Sequence, residues 1–249
     1  PAGIRDNSLL LRPYNPAQQI GIFDYCSGID YGDIPVVPGY IQESHKKIEV
    51  GAKAIFDSRT IPIFMGGDHS VSLPILRAIK QKFGPVALIH FDAHCDLWHG
   101  YFNKKDTHGT PFRRALEENL IDSARSSQIG LRGPLYDEGD HQMPTEAGLM
   151  AITGPELHRM GIDKAIRKIK ARVGRGPAYL TFDIDFVDPA YAPGTGTPEA
   201  GGFTGYDSIS LVRGLTDIDF IGYDMVEVMP AYDPANVTCL LAANIIYEF

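Results

Sequence analysis

Along the chain, short runs of valine, isoleucine, leucine and phenylalanine alternate with longer stretches in which apolar positions recur every three to four residues. That alternation is the pattern of βαβ units wound around a parallel sheet. It predicts strands at Gln19–Asp24, Ile61–Met65, Val86–Phe91, Ser127–Arg132, Leu149–Thr153, Ala178–Asp183 and Phe220–Val226. Several are apolar nearly throughout, as strands covered on both faces should be. Helices are predicted at Ile41–Phe56, Val71–Phe83, Pro111–Asn119, Pro155–Val173, Tyr206–Leu215 and Asn236–Tyr247, after a short helical segment at Ile4–Leu11. Ser70 and Asp207 stand near positions where helix caps are expected. The expected fold class is α/β, a three-layer α/β/α arrangement with a mainly parallel central sheet. No repeat or linker divides the chain, and the stretch Pro189–Gly202, rich in proline and glycine, reads as a functional loop.

Composition narrows the class. With 249 residues, 44% hydrophobic and 22% charged, the chain suits one large domain spanning 1–249. It contains no apolar run of membrane-spanning length and does not open with a secretory pattern, so a soluble protein without a membrane partner is expected. A formal net charge of −8 argues against a nucleic-acid partner, which calls for a basic face. The cysteines Cys26, Cys95 and Cys239 lack CxxC spacing, which suggests neither a disulfide framework nor a thiolate zinc site. A reducing cytoplasm is the simplest compartment. The opening Pro1-Ala2-Gly3 lacks an initiator methionine and suggests a processed or truncated piece.

Open α/β sheets bind ligands at the carboxyl ends of their strands, so the polar residues after each apolar run are the ones to inspect. Three runs end alike: Ile61–Met65 leads into Gly66-Gly67-Asp68-His69-Ser70, Val86–Phe91 into Asp92-Ala93-His94-Cys95-Asp96, and Ala178–Phe182 into Asp183-Ile184-Asp185. In an extended chain Asp92, His94 and Asp96 share one face, as do Asp183 and Asp185. Taken singly, each run has a plain explanation as a turn, a solvated loop or a helix cap. Independent turns have no reason to repeat acidic and histidine ligands at successive strand ends. Carboxylates gathered in this way repel one another, and a pair of divalent cations relieves them. Oxygen and imidazole ligands suit Mn²⁺ better than a structural zinc. Alternation turns Cys95 away from the shared face, as small packing.

The runs GGDHS, HFDAHCD, TFDIDFVDP, APGTGTPEAGG and VEVMP, from Gly66 to Pro230, resemble in order the signatures of the ureohydrolases, the family of arginase, agmatinase and related amidinohydrolases. The resemblance implies the arginase-like fold and two Mn²⁺ per chain. One would be held by His69, Asp92, Asp96 and Asp183, the other by Asp92, His94, Asp183 and Asp185, with Asp92 and Asp183 bridging. Two metals about 3.5–4 Å apart share a water and hold hydroxide ready at neutral pH, for attack on a guanidinium carbon. Glu227 resembles the family's carboxylate that grips the guanidinium, and His108 its loop histidine that relays protons to the leaving amine. Asp185 is a further proton acceptor. The family also implies a homo-oligomer, a trimer or hexamer. The chain departs from the family in two places: the usual glycine-rich N-terminal strand and loop are not in it, and it stops at Phe249, inside the expected last helix.

The resemblance leads to a small-molecule guanidino substrate, and the loop Leu97–Thr107 lacks the polar anchors that arginases use for an α-amino acid. That sets the chain apart from arginases, and between agmatine and a guanidino acid the family resemblance alone leans to agmatine as the expected substrate. The alternatives are a guanidino acid, as in guanidinobutyrase or guanidinopropionase, and arginine. Asp106 or Glu199 would attract agmatine's ammonium, whereas Lys104 or Lys105 would attract a carboxylate; Trp98 either lines the pocket or packs within the loop. Two other classes remain: a dinuclear metal phosphatase, opposed by Glu227 and the acidic setting, and a metal-binding homologue without activity, opposed by the presence of both His108 and Glu227.

Overall fold

The computed structural model describes residues 1–249. Its strands are β1 (Tyr14–Asn15), β2 (Ile20–Gly21), β3 (Ile63–Gly66), β4 (Ala87–Phe91), β5 (Ser127–Leu131), β6 (Met150–Thr153), β7 (Ala178–Asp183) and β8 (Phe220–Val226). The helices are α1 (Ala2–Ser8), α2 (Ile22–Tyr25), α3 (Ile41–Asp57), α4 (Ser72–Phe83), α5 (Pro111–Glu117), α6 (Glu138–Glu146), α7 (Gly154–Met160), α8 (Ile162–Val173), α9 (Gly205–Arg213) and α10 (Val237–Ile246). No helix is long and apolar enough to cross a membrane.

Six strands form one parallel sheet in the order β3-β8-β7-β4-β5-β6. From β4 the chain steps outward to β5 and β6, then returns to lay β7 on the other side of β4 and β8 between β7 and β3. The neighbours β4 and β7 therefore send their connections in opposite directions. Such a reversal opens a crevice at the carboxyl ends of the two strands, where ligands bind in open α/β sheets.

Both central strands are buried at every position, which explains their unbroken apolar runs. Their side chains alternate between two cores. Ala87, Ile89 and Phe91 join Ala178, Leu180 and Phe182 beneath Ile169 of α8, Leu211 of α9 and Ala243 of α10. Leu88 and Tyr179 face the other way, with Phe56 of α3 and Leu76 and Ile79 of α4. Helices thus cover both faces of the sheet, as the pattern of the chain predicts.

Several expectations need correction. Gln19–Asp24 is not a strand of the main sheet: β2 pairs only with β1, antiparallel, and Ile22–Tyr25 turns into a short helix. The helix expected at Pro155–Val173 is two, broken at Gly161, whose φ of 78° lies in the left-handed region that suits glycine. The cap of α9 is Thr204; Asp207 is its partner three residues on, in a reciprocal capping box. The turn before α4 is capped by Asp68, whose side chain accepts the N–H of Ser70. Helix α6 escapes apolar periodicity because it is polar and contains Pro144; Asp137 nucleates it by accepting two N–H groups. Other element ends shift by a few residues at most.

Candidate active site

At the three strand ends singled out by sequence, an aspartate side chain accepts the backbone N–H two residues further on. Ser70 N–H donates to Asp68 Oδ1 at 3.1 Å, His94 N–H to Asp92 Oδ1 at 2.6 Å, and Asp185 N–H to Asp183 Oδ1 at 2.9 Å. These Asx turns swing the chain across the mouth of the crevice. They also correct the extended-chain argument, since β4 stops at Phe91, Ile184–Phe186 is a 3₁₀ turn and Asp96 has a φ of 53°. Turns, not strand alternation, gather the acidic groups.

The gathering is tight. His69 Nδ1 lies 3.1 Å from Asp92 Oδ2, 3.1 Å from Asp96 Oδ2 and 3.2 Å from Asp183 Oδ2. His69 Nε2 meets Thr181 Oγ1 at 2.9 Å, so a proton on Nε2 leaves the Nδ1 lone pair facing three carboxylate oxygens. Nδ1 is buried and has no hydrogen-bond partner. A buried acceptor among anionic acceptors is costly unless a cation sits between them. In a second group, His94 Nδ1 lies 3.3 Å from Asp92 Oδ1 and 3.0 Å from Asp185 Oδ2. Asp92 thereby gives one oxygen to each group. His69, His90, Asp92 and Asp96, and separately Asp92, His94 and Asp185, are close enough to hold metal ions.

Electrostatics points the same way. Burial opposes charge on His69, yet its contacts with Asp183, Asp92 and Asp96 raise its pKa well above the usual imidazole range. Burial likewise opposes charge on His94, but Asp185 and Asp92 push it up to about 12. Burial, with Asp185 and Asp92 alongside, lifts Asp183 well above the carboxylate range; burial and then Asp92 lift Asp185 to about 6. Excess negative charge in a closed space draws in cations of any kind, protons or metals.

The cluster opens into a cavity of about 690 Å³. Glu227 and His108 line it, with Trp98, Tyr101, Tyr136, Thr197 and Glu199. Glu227 has a left-handed φ of 62° and accepts the His69 N–H at 2.6 Å through Oε1. Strained backbone of this kind, at Glu227 and Asp96, is a feature of functional sites. His108 stands on the cavity wall, its ring edge-on to Tyr101 with centroids 5.7 Å apart, outside the clustered oxygens. Trp98 stacks on Tyr101 at 5.4 Å and packs so closely on Gly109 that a Cβ there would meet its ring. Lys104, Lys105 and Asp106 are not on this wall; they line a separate groove against Gly39–Glu43. Cys95 is outside both metal-holding groups and packs against the α3–α4 core; burial pushes its thiol up to about 12.

Sequence reasoning missed the residues behind the cluster: His90, Gln128, Thr181 and Thr197, whose hydroxyl meets Asp185 Oδ2 at 3.2 Å. Only His90 left a signal, because it precedes Asp92 by two and so shares its side of the strand.

Comparison with known proteins agrees with this geometry. The model of the Arginase family matches residues 1–249. A guanidinobutyrase of Pseudomonas aeruginosa is 43% identical over the whole chain, which covers 78% of that protein. An agmatinase of Neisseria meningitidis is 42% identical over 88% of the chain and 68% of its own length. Among solved structures, a proclavaminate amidino hydrolase from Streptomyces clavuligerus superposes with a TM-score of 0.93 at 34% identity, covering 100% of this chain and 82% of that one.

Proposed function

This chain belongs to the arginase family, and we propose that it is a dinuclear manganese ureohydrolase that releases urea from agmatine. The observation that carries the reading is His69 Nδ1, buried, without a hydrogen bond, and facing three carboxylate oxygens. His69, Asp92, Asp96 and Asp183 would hold one Mn²⁺, and Asp92, His94, Asp183 and Asp185 the other. When bound, the two cations supply Lewis acidity and a hydroxide nucleophile at neutral pH.

The remaining work falls to side chains. Glu227, with one oxygen committed to His69 N–H, keeps the other for the guanidinium nitrogens and orients the planar carbon for attack. Asp185, fully buried beside the cluster with Thr197 Oγ1 on its Oδ2, is the carboxylate placed to take up a proton from the attacking water. The nucleophile's oxygen becomes the carbonyl oxygen of urea, the bond from the guanidinium carbon to the chain nitrogen breaks, and His108 delivers the proton that the departing amine requires.

The choice of agmatine rests on the far wall. It presents Trp98, Tyr101 and Tyr136, with the carboxylate of Asp140; Glu199 sits nearer the cluster, its Oε1 3.9 Å from His94 Nε2. A primary ammonium suits aromatic faces and carboxylates. Arg132, a cation of that wall, donates to the carbonyl oxygens of Asp185 at 2.6 Å and Glu199 at 2.8 Å. The exposed Lys104 and Lys105 line the other groove. Likeness to a guanidinobutyrase favours a second reading, a guanidino acid as substrate. Urea release by the manganese-loaded protein from agmatine, 4-guanidinobutyrate, 3-guanidinopropionate and L-arginine decides between them. Agmatine should give the highest kcat/KM, and replacing Lys104 and Lys105 together by alanine should change none of the four. Preference for a guanidino acid, weakened by that double change, would transfer the assignment to the second reading.

A further inference from the structure

One buried histidine beside the cluster has no part in the proposed chemistry. His90 lies on β4, fully buried, with Phe112 packed on its ring at a centroid distance of 4.3 Å. Strand register sets it directly between Gln128 of β5 and Thr181 of β7, and Thr181 in turn is opposite Asp224 of β8. A row of four polar residues, each completely buried, therefore crosses the middle of the sheet. Polar groups in such a place cost stability unless their partners are fixed, so the row calls for a reason other than packing.

The hydrogen bonds supply it. Gln128 Nε2 lies 2.6 Å from the Cys95 carbonyl oxygen and 2.9 Å from His90 Nδ1. The carbonyl can only accept, so the amide must turn its NH₂ group toward it, and the second hydrogen of that group goes to His90 Nδ1. Nδ1 is then an acceptor and the ring proton is on Nε2, 2.7 Å from Asp92 Oδ2. The other oxygen, Oδ1, receives the backbone N–H of His94. Each oxygen of Asp92 has one fixed donor, and each faces one of the two imidazoles, Oδ2 toward His69 and Oδ1 toward His94.

We propose that His90, locked by Gln128, is a positioning residue that holds Asp92 with one oxygen turned to each half of the centre. The inference rests on the proposed dinuclear reading of the site. Without the His90 donor, only the His94 N–H restrains the carboxylate, and it can rotate away from the half that His69 faces. The proton on His90 is a structural device: it moves through no step of the reaction.

The test is manganese titration by calorimetry, with electron paramagnetic resonance of the loaded protein, on the wild type, His90→Phe, His90→Gln and Gln128→Leu. Wild type should bind two equivalents and show the spectrum of an exchange-coupled pair. His90→Phe, which keeps bulk and removes the donor, should weaken one equivalent by roughly 10- to 100-fold and alter the coupling. His90→Gln, which restores an N–H donor, should recover most of both. Gln128→Leu should move them in the same direction by less, and it carries the test if His90→Phe does not fold. Wild-type affinity and coupling in the phenylalanine variant, or in Gln128→Leu where that stands alone, would overturn the inference and leave the dinuclear reading intact. A wild type that takes up no manganese pair would overturn both.

Discussion

Asp96, a member of the carboxylate cluster, and Glu227, which borders it, are held in backbone conformations that residues other than glycine seldom adopt. Strain persists only where surroundings enforce it, and at Glu227 the enforcing bond is to the N–H of His69. The two cavity residues assigned to substrate, Glu227 and His108, should therefore separate cleanly from those assigned to metal. Glu227→Gln exchanges a charge-assisted bond for a neutral one and should lower kcat/KM for agmatine on the order of 100-fold. His108→Asn should slow turnover by about 10²- to 10⁴-fold. Both variants should keep two manganese ions, by metal analysis of the dialysed protein. Manganese loss in either would show that the residue belongs to the metal centre instead. Whereas His108 and Glu227 were indicated only by the family resemblance, the clustering of His69, Asp92, His94, Asp96, Asp183 and Asp185 was legible in sequence because these residues follow apolar runs directly. Gln128 and Thr181 were not, because their roles arise from register across strands, which the order of residues along one strand does not contain.

Among the elements, the long buried strands and the amphipathic helices were readable, and the failures have local causes. Gly161 breaks one helical pattern into α7 and α8. Within Gln19–Asp24 the chain turns helical from Ile22, which leaves only Ile20–Gly21 to pair with β1 in a small hairpin tied down by Glu248, beyond α10. Glu248 receives Arg213 of α9 at 2.9 and 2.6 Å, Gln18 at 2.9 Å and Asn15 at 3.3 Å. Burial alone would raise its pKa, but Arg213 and Gln18 outweigh burial and hold it below the ordinary glutamate value. A carboxyl group depressed by folding stabilises the folded state fully above its unfolded pKa, and that contribution is lost as pH falls through the folded value. Glu248→Gln should therefore cost about 1–2 kcal/mol at pH 7, since Arg213 is partly exposed. The gap in melting temperature between the two proteins should close as the pH is lowered below the ordinary glutamate range. A gap that stays constant from pH 7 to pH 3 would show that lost packing, rather than charge, explains the change.

At the scale of the molecule, a reversal of connection direction between β4 and β7 opens the crevice, and three Asx turns at strand ends bring His69 and the carboxylates together on its floor. That convergence was legible from the repetition of acidic ends, although the turns that produce it were not. The assignment of substrate class depends on the cavity walls, and the loop Trp98–Thr107 could not be divided by sequence into residues that face the cavity and residues that do not. Only the fold separates Trp98 and Tyr101 from Lys104 and Lys105. The central proposal is that His69, Asp92, His94, Asp96, Asp183 and Asp185 would together hold a pair of metal ions in the crevice, with Asp92 and Asp183 serving both. Its most direct test is the manganese content of the purified protein after incubation with Mn²⁺ and removal of excess metal, beside the same measurement on Asp92→Ala and Asp183→Ala. The account predicts two manganese ions per chain in the wild type and loss of tight occupancy at both sites in each variant; one zinc or no manganese in the wild type would contradict it.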